Sequence, residues 1–210
     1  MQLSIPKQFV PLAGQPVLMH TLTAFHRCSF SVHTVVVLPE AEIETWKKLC
    51  RQHNFVVSHH VVAGGSTRSA SVYQGLQRIE EEESLVAVHD GVRPLVTPTL
   101  IERSYQEAEQ YGSAVASVPL KDSIRYISET GSEVRTREHY RLMQTPQTFR
   151  THLLRKAYEQ IGTKSFSDDA SVMEHSGHAI RLIDGEYRNL KITTPEDLTV
   201  AAALLSQTEA

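Results

Sequence analysis

Apolar runs and stretches of helical spacing alternate along this chain. Residues 32–38 (VHTVVVL) are β-branched and continuous, the pattern of a strand covered on both faces. Residues 40–53 predict a helix, 55–62 a strand, 69–82 a helix and 85–89 a short strand. A helix over 98–111, a strand over 113–118, a helix over 150–161 and a strand over 179–183 continue the alternation. The last helix opens at Thr194-Pro195-Glu196-Asp197, where Thr suits the cap, Pro the first helical position and acids the first turn. This rhythm predicts an α/β fold with a doubly wound, mostly parallel sheet. It breaks once. Residues 124–128 and 133–137 flank the turn-rich Glu129-Thr130-Gly131-Ser132, which predicts a projecting β-hairpin arm within 121–144. An isolated two-stranded hairpin is marginal in water, so the arm is expected to meet a partner surface. No repeat or low-complexity linker divides the chain, and 1–210 reads as a single domain.

Composition narrows the functional classes. With 210 residues, 40% hydrophobic and 21% charged, the chain can bury a core unaided. A net charge of −3 with no basic block argues against a polymeric nucleic-acid partner, while single nucleotides need only a few placed cations. Cys28 and Cys50 read as free thiols of a reducing compartment. No apolar run reaches the ~20 residues of a membrane span, nothing near Met1 resembles a signal peptide, and the chain reads as cytoplasmic. His59-His60, an adjacent pair on opposite faces of a strand, is a poor zinc site.

Ligands of open α/β sheets bind beyond the carboxyl ends of the strands, and the polar clusters fall there. Gly64-Gly65-Ser66-Thr67-Arg68 follows one predicted strand, and the glycines allow backbone to approach a flat ligand. Ser71 falls on the first turn of the next helix, where amides and a hydroxyl can read a base edge. An ordinary βα turn is the plain alternative. Asp90, in His89-Asp90-Gly91-Val92-Arg93, can accept from ribose hydroxyls or hold Mg2+ through water, and Arg93 can pair with that Asp or with phosphate. A purely structural Asp–Arg pair explains the same residues. Lys7, behind Pro6, is a point charge suited to phosphate, or a plain surface lysine. Lys191 either snorkels or faces the site. Ser167-Asp168-Asp169-Ala170 reads as a helix cap or as a ligand contact.

Seven stretches in this order, 5–17 (IPKQFVPLAGQPV), 64–72 (GGSTRSASV), 88–94 (VHDGVRP), 119–123 (PLKDS), 145–149 (TPQTF), 167–171 (SDDAS) and 189–198 (NLKITTPEDL), resemble one family. It is the 2-C-methyl-D-erythritol 4-phosphate cytidylyltransferase family of the non-mevalonate isoprenoid pathway. The resemblance implies a Rossmann-like nucleotidyltransferase that transfers CMP from CTP to the acceptor's phosphate and releases pyrophosphate, with Mg2+. It implies that Lys7 and Lys191 are catalytic, holding charge at the α-phosphate. Gly64, Gly65, Ser66, Arg68, Ser71, Asp90 and Arg93 are placed at the nucleotide, with no residue assigned as a direct metal ligand. Arg137 and Ser123 are placed at the acceptor's phosphate and Ser167 near its hydroxyls, with Arg137 reaching a neighbouring subunit's site in a homodimer.

Ser123 and Ser167 replace the family's usual threonines. The family also opens with a strand and a glycine-rich turn that wraps the triphosphate. This chain starts a few residues before Pro6-Lys7-Gln8, so one βα opening is expected upstream of Met1, and without it two strand edges would stand open. Two other readings share these residues. A relative using CTP with ribitol 5-phosphate keeps the lysine and Asp–Arg motifs, although Arg137, eight residues before Thr145, favours the erythritol acceptor. A non-catalytic, dimerising remnant is the third.

Overall fold

The strand at Ser113–Pro119 shows how the sheet is covered. Ala114 and Ala116 face one way and pack with Leu100 and Ile101, while Val115 faces the other and packs with Phe149 and Leu154. Small residues on one face and a branched one on the other let helices close on both sides. The computed structural model describes residues 5–162, 164 and 166–207. Residues 1–4, expected to be loop, lie outside the described part.

A short 3-10 turn at Lys7–Phe9 leads into β1 (Pro11–Leu12), β2 (Gln15–Pro16) and α1 (Val17–His26). Next come β3 (Val35–Leu38), α2 (Ile43–Gln52), β4 (His60–Ala63), α3 (Arg68–Leu76) and β5 (Leu85–Val88). Then follow α4 (Pro98–Tyr111), β6 (Ser113–Pro119), the hairpin β7 (Ile124–Ser128) and β8 (Gly131–Arg135), and β9 (Arg141–Arg150). The chain continues through α5 (Thr151–Gln160), α6 (Asp169–His175), β10 (Leu182–Asp184) and α7 (Pro195–Ser206).

The main sheet has the order β10-β6-β9-β5. β10 runs parallel to β6, whereas β9 runs antiparallel to both β6 and β5, so three of these four strands share a direction. β3 and β4 form a separate parallel pair. Among the described residues one edge of β3 and one edge of β5 stand unpaired, and a trough of about 1330 Å3 lies between them. Helices α1 and α4 cover one face of the main sheet, and α5 and α6 the other. The fold is the doubly wound α/β architecture read from the sequence, with one strand reversed.

Boundaries follow local chemistry. Thr97 caps α4 by accepting from the Leu100 amide, Pro98 fills the first helical position, and Gly112 ends the helix at φ 85, a conformation glycine adopts without cost. Thr194 and Asp197 form a reciprocal capping box on α7. The strand expected over 55–62 shrinks to His60–Ala63, because the preceding segment packs onto Trp46 instead of pairing. Trp46 Nε1–H donates to His59 Nε2 at 2.9 Å, and His59 Nδ1 lies 2.7 Å from the Val57 carbonyl. An Nε2 that accepts leaves the proton on Nδ1, so His59 is a structural link and not a metal ligand.

Trp46 also stacks on Phe9 with ring centroids 5.9 Å apart, which anchors the turn bearing Lys7. Trp46 is fully buried. Trp46→Ala is expected to cost about 3–5 kcal/mol, read as a lowered urea midpoint at unchanged m-value.

Candidate functional site

Site geometry starts at the carboxyl end of β5. There the Asp90 amide donates to Thr145 Oγ1 of β9 at 3.0 Å, which fixes the turn. Asp90 Oδ2 then receives two cations, Arg93 Nε at 3.3 Å and Lys191 Nζ at 3.1 Å. Arg93 is held in place from behind, because its Nη1 donates to the Asn189 carbonyl at 2.7 Å. Asn189 is fully buried and its own amide donates to the Thr145 carbonyl at 2.8 Å. The segment carrying Lys191 is thereby tied to β9 and to the Asp90 turn. Burial alone raises the Asp90 carboxyl, but Lys191 and then Arg93 pull it down further, so it sits below the usual carboxylate range. Asp90 Oδ1 takes no hydrogen bond among the described residues.

The Gly64–Ser71 turn is built from within. Ser71 Oγ donates to the Thr67 carbonyl at 2.9 Å and accepts from the Gly65 amide at 3.2 Å. Thr67 caps α3 by accepting from the Ala70 amide. Side chains at the glycines would collide, since a Cβ on Gly65 would lie 2.4 Å from Ala70 Cβ and one on Gly64 2.7 Å from Ser71 Oγ. The turn therefore closes tightly on itself. Ser66 is exposed on its rim.

Arg68 takes a partner the sequence did not indicate. Its guanidinium pairs with Asp169 at the start of α6, while Arg68 lines the same trough as Ser71 and Asp90. Lys7 is half-buried on its turn, with no ion pair to any described residue. Arg137 stays on the arm, donating to the Lys121 carbonyl at 2.6 Å and to Glu138 at 3.1 Å. No described interaction joins Arg137 to the Asp90 cluster, and Ser123 and Ser167 are exposed. Sequence reasoning missed Asn189, Gln147 and Asp169 as organisers. Each lies inside a motif it quoted, but a buried polar side chain leaves no periodic signal.

His89 adjoins this cluster. Its Nε2 lies 3.3 Å from the Arg93 carbonyl, and its Nδ1 is buried without a partner. Burial pushes its pKa down to about 4, against an upward pull from the Arg93 carbonyl and Asp90, with the Arg93 charge the least of the causes. The imidazole is neutral near pH 7.

A family model for 2-C-methyl-D-erythritol 4-phosphate cytidylyltransferase matches residues 1–207. The chain belongs to that family. The family member of Porphyromonas gingivalis is 48% identical over 202 residues, covering 96% of this chain and 90% of that protein. The Bacteroides thetaiotaomicron member is 46% identical over 201 residues, covering 96% and 91%. Among solved structures, the Thermus thermophilus family member superposes with a TM-score of 0.82 at 33% identity, covering 96% of this chain and 94% of that one. The corresponding synthase of Anaerococcus prevotii gives 0.85 at 25% identity, covering 96% and 90%. These likenesses extend over the whole Asp90–Lys191 region. No helix among the described residues is long and apolar enough to cross a membrane.

Two measurements test this geometry. Gly65→Ala should force the turn open and weaken CTP binding by about five- to 150-fold, since overpacking typically costs about 1–3 kcal/mol; titration calorimetry reads it. His89 should impose a pH slope. The folded imidazole resists protonation down to about 4 while the unfolded one titrates near 6.5. The unfolded chain therefore binds the extra proton in that window. Stability is then fully present above 6.5 and falls as pH drops towards 4, by at most about 1.4 kcal/mol per unit. Urea midpoints should show the slope, and His89→Gln should flatten it.

Proposed function

We propose that the chain transfers CMP from CTP to 2-C-methyl-D-erythritol 4-phosphate and releases pyrophosphate. The observation that carries this reading is the convergence of Lys191 and Arg93 on Asp90 at the end of β5, beside the closed Gly64–Ser71 turn. Relatives that carry this activity in their names match nearly the whole chain, which favours the erythritol acceptor over ribitol 5-phosphate and an enzyme over a remnant.

The chemistry needs little from the protein beyond charge and placement. The attacking phosphate oxygen is already anionic, so no general base is required, in keeping with a neutral His89 turned into the backbone. Gly65 and Ser71 hold a flat, tight rim for cytosine. Lys7 and Lys191 bring positive charge to the α-phosphate, where it builds up in the transition state. Asp90 orders Lys191 before substrate arrives, which lowers the reorganisation needed at the reacting phosphorus. Mg2+ suits this site, because it binds through one or two carboxylates plus substrate phosphates, and Asp90 Oδ1 takes no hydrogen bond among the described residues. Bound there, the ion would neutralise phosphate charge.

The arm supports a homodimer. Tyr126, Ile127 and Val134 on the hairpin are 54%, 70% and 70% exposed, and Leu142 at its base is 53% exposed. Apolar side chains at this density on a thin ribbon favour a covering subunit. In that arrangement Arg137 and Ser123 would serve the neighbour's acceptor phosphate, and Ser167 the acceptor hydroxyls of its own site.

A coupled pyrophosphate assay with CTP, Mg2+ and the methylerythritol phosphate acceptor tests the reaction; turnover with ribitol 5-phosphate alone would reassign the acceptor. Lys7→Ala should lower kcat by about 10²–10³ with little change in KM, the pattern for a group that acts mainly on the transition state. Mixing inactive Lys7→Ala and Arg137→Ala proteins should restore part of the activity, because one hybrid site then carries both native groups. No recovery after verified subunit exchange would remove Arg137 from the neighbour's site.

A further inference from the structure

The Arg68–Asp169 pair is not part of the reaction as described, and it spans 101 residues of sequence. Arg68 is the first residue of α3, directly after the turn that holds Gly65. Asp169 is the first residue of α6, two positions after Ser167. The guanidinium meets the carboxylate through both terminal nitrogens, one of them 3.4 Å from Oδ1. Asp169 is fully buried, and its Oδ1 also accepts from the Tyr158 hydroxyl at 2.5 Å.

The α6 end of this tie is fixed by the main sheet. Gln147 of β9 accepts from the Asp169 and Ala170 amides at 3.0 and 2.9 Å, and donates to Asp168 at 3.0 Å. Asp168 in turn caps α6 through the Ser171 amide at 3.0 Å. Its carboxylate is therefore committed to the helix. Gln147 also pairs in register with Val88, two residues before Asp90. A buried carboxylate with one cationic partner is costly to strand, so Arg68 and Asp169 have strong reason to stay together.

We propose that Arg68 and Asp169 are positioning residues that couple the two substrate sites: the ion pair locks the nucleotide turn, Gly64–Ser71, to the acceptor loop at Ser167. Asp169 is fully buried and acts only through Arg68, and the role proposed for Arg68 is exerted through this pair. Their effect is to set the distance and angle between base and acceptor, so that filling one loop orders the other. Reciprocity follows, because a coupling free energy between two sites acts equally in both directions. The inference rests on the assignment of those loops to nucleotide and acceptor.

The test is initial-rate kinetics on the full-length enzyme, with CTP and the acceptor phosphate both varied. Asp169→Asn lies on the acceptor side, yet should raise the KM for CTP by about tenfold, within the usual 5–150-fold range of linked sites. Arg68→Lys lies on the nucleotide side and should raise the acceptor KM by a similar factor, because a lysine cannot make the two-pronged contact. The double variant Arg68→Met/Asp169→Asn should be no worse than Asp169→Asn alone. Tyr158→Phe removes only the hydroxyl bond to Asp169 and should shift both KM values together, which keeps the test sound if Asp169→Asn does not fold. A purely structural pair would lower the melting temperature and leave both KM values unchanged, and that result overturns the proposal. So does a change confined to the substrate of the mutated loop. A wild-type enzyme that neither binds CTP nor releases pyrophosphate would overturn the functional reading itself, and the coupling with it.

Discussion

A mostly buried carboxylate at the end of a strand must be paired, and Asp90 meets that demand with two cations, one local and one distant in sequence. Arg93 lies three residues away and is a local partner, whereas Lys191 comes from the segment before α7. Bringing Lys191 there requires that segment to cross the end of the sheet. It does so through buried Asn189, which bonds to Thr145 while its carbonyl receives Arg93, and through Ile192, whose amide donates to the Val92 carbonyl at 2.9 Å. One ion-pair requirement thus organises the end of β5, the middle of β9 and the approach to α7.

Much of the fold was legible because the signals were local. Helix α4 runs from a Thr cap and a Pro to a left-handed Gly, and each residue acts through its own backbone preference. The capping box of α7 is read the same way. β9 was not legible as a strand. It carries Thr145-Pro146 in its middle, and proline argues against a central strand because it cannot donate to the ladder. Residues 144–149 are nonetheless buried, including polar Gln144, Gln147 and Thr148, whose partners come from distant elements. Such tertiary satisfaction of polar groups overrides propensity and leaves no pattern in the chain.

The site shows the same division. Asp90, Arg93 and Lys191 were readable as a charged set, and the fold joins them within ion-pair distance. The Gly64–Ser71 turn was readable because paired glycines follow a predicted strand, and the fold adds that a Cβ at either would collide. Arg68 illustrates the limit. In sequence it is one more cation after a glycine turn, and nothing local distinguishes a ligand contact from a tether. Only the fold reveals Asp169, 101 residues away and without exposure.

This distinction bears on how such a site can work without a base or nucleophile of its own. If chemistry depends on holding two anions and a developing charge in line, the protein must fix separate loops relative to one another more tightly than loops normally allow. Hydrogen bonds within each loop cannot do so, since they fix only its internal shape. The Ser71 bonds close the Gly64–Ser71 turn and the Asp168 cap closes the loop at Ser167, but neither reaches the other. Ties that cross between elements are needed. Two buried or half-buried charge pairs supply them, Lys191 to Asp90 and Arg68 to Asp169, both braced by β9 through Thr145 and Gln147. The strand least evident in the sequence is therefore the one against which both loops are set.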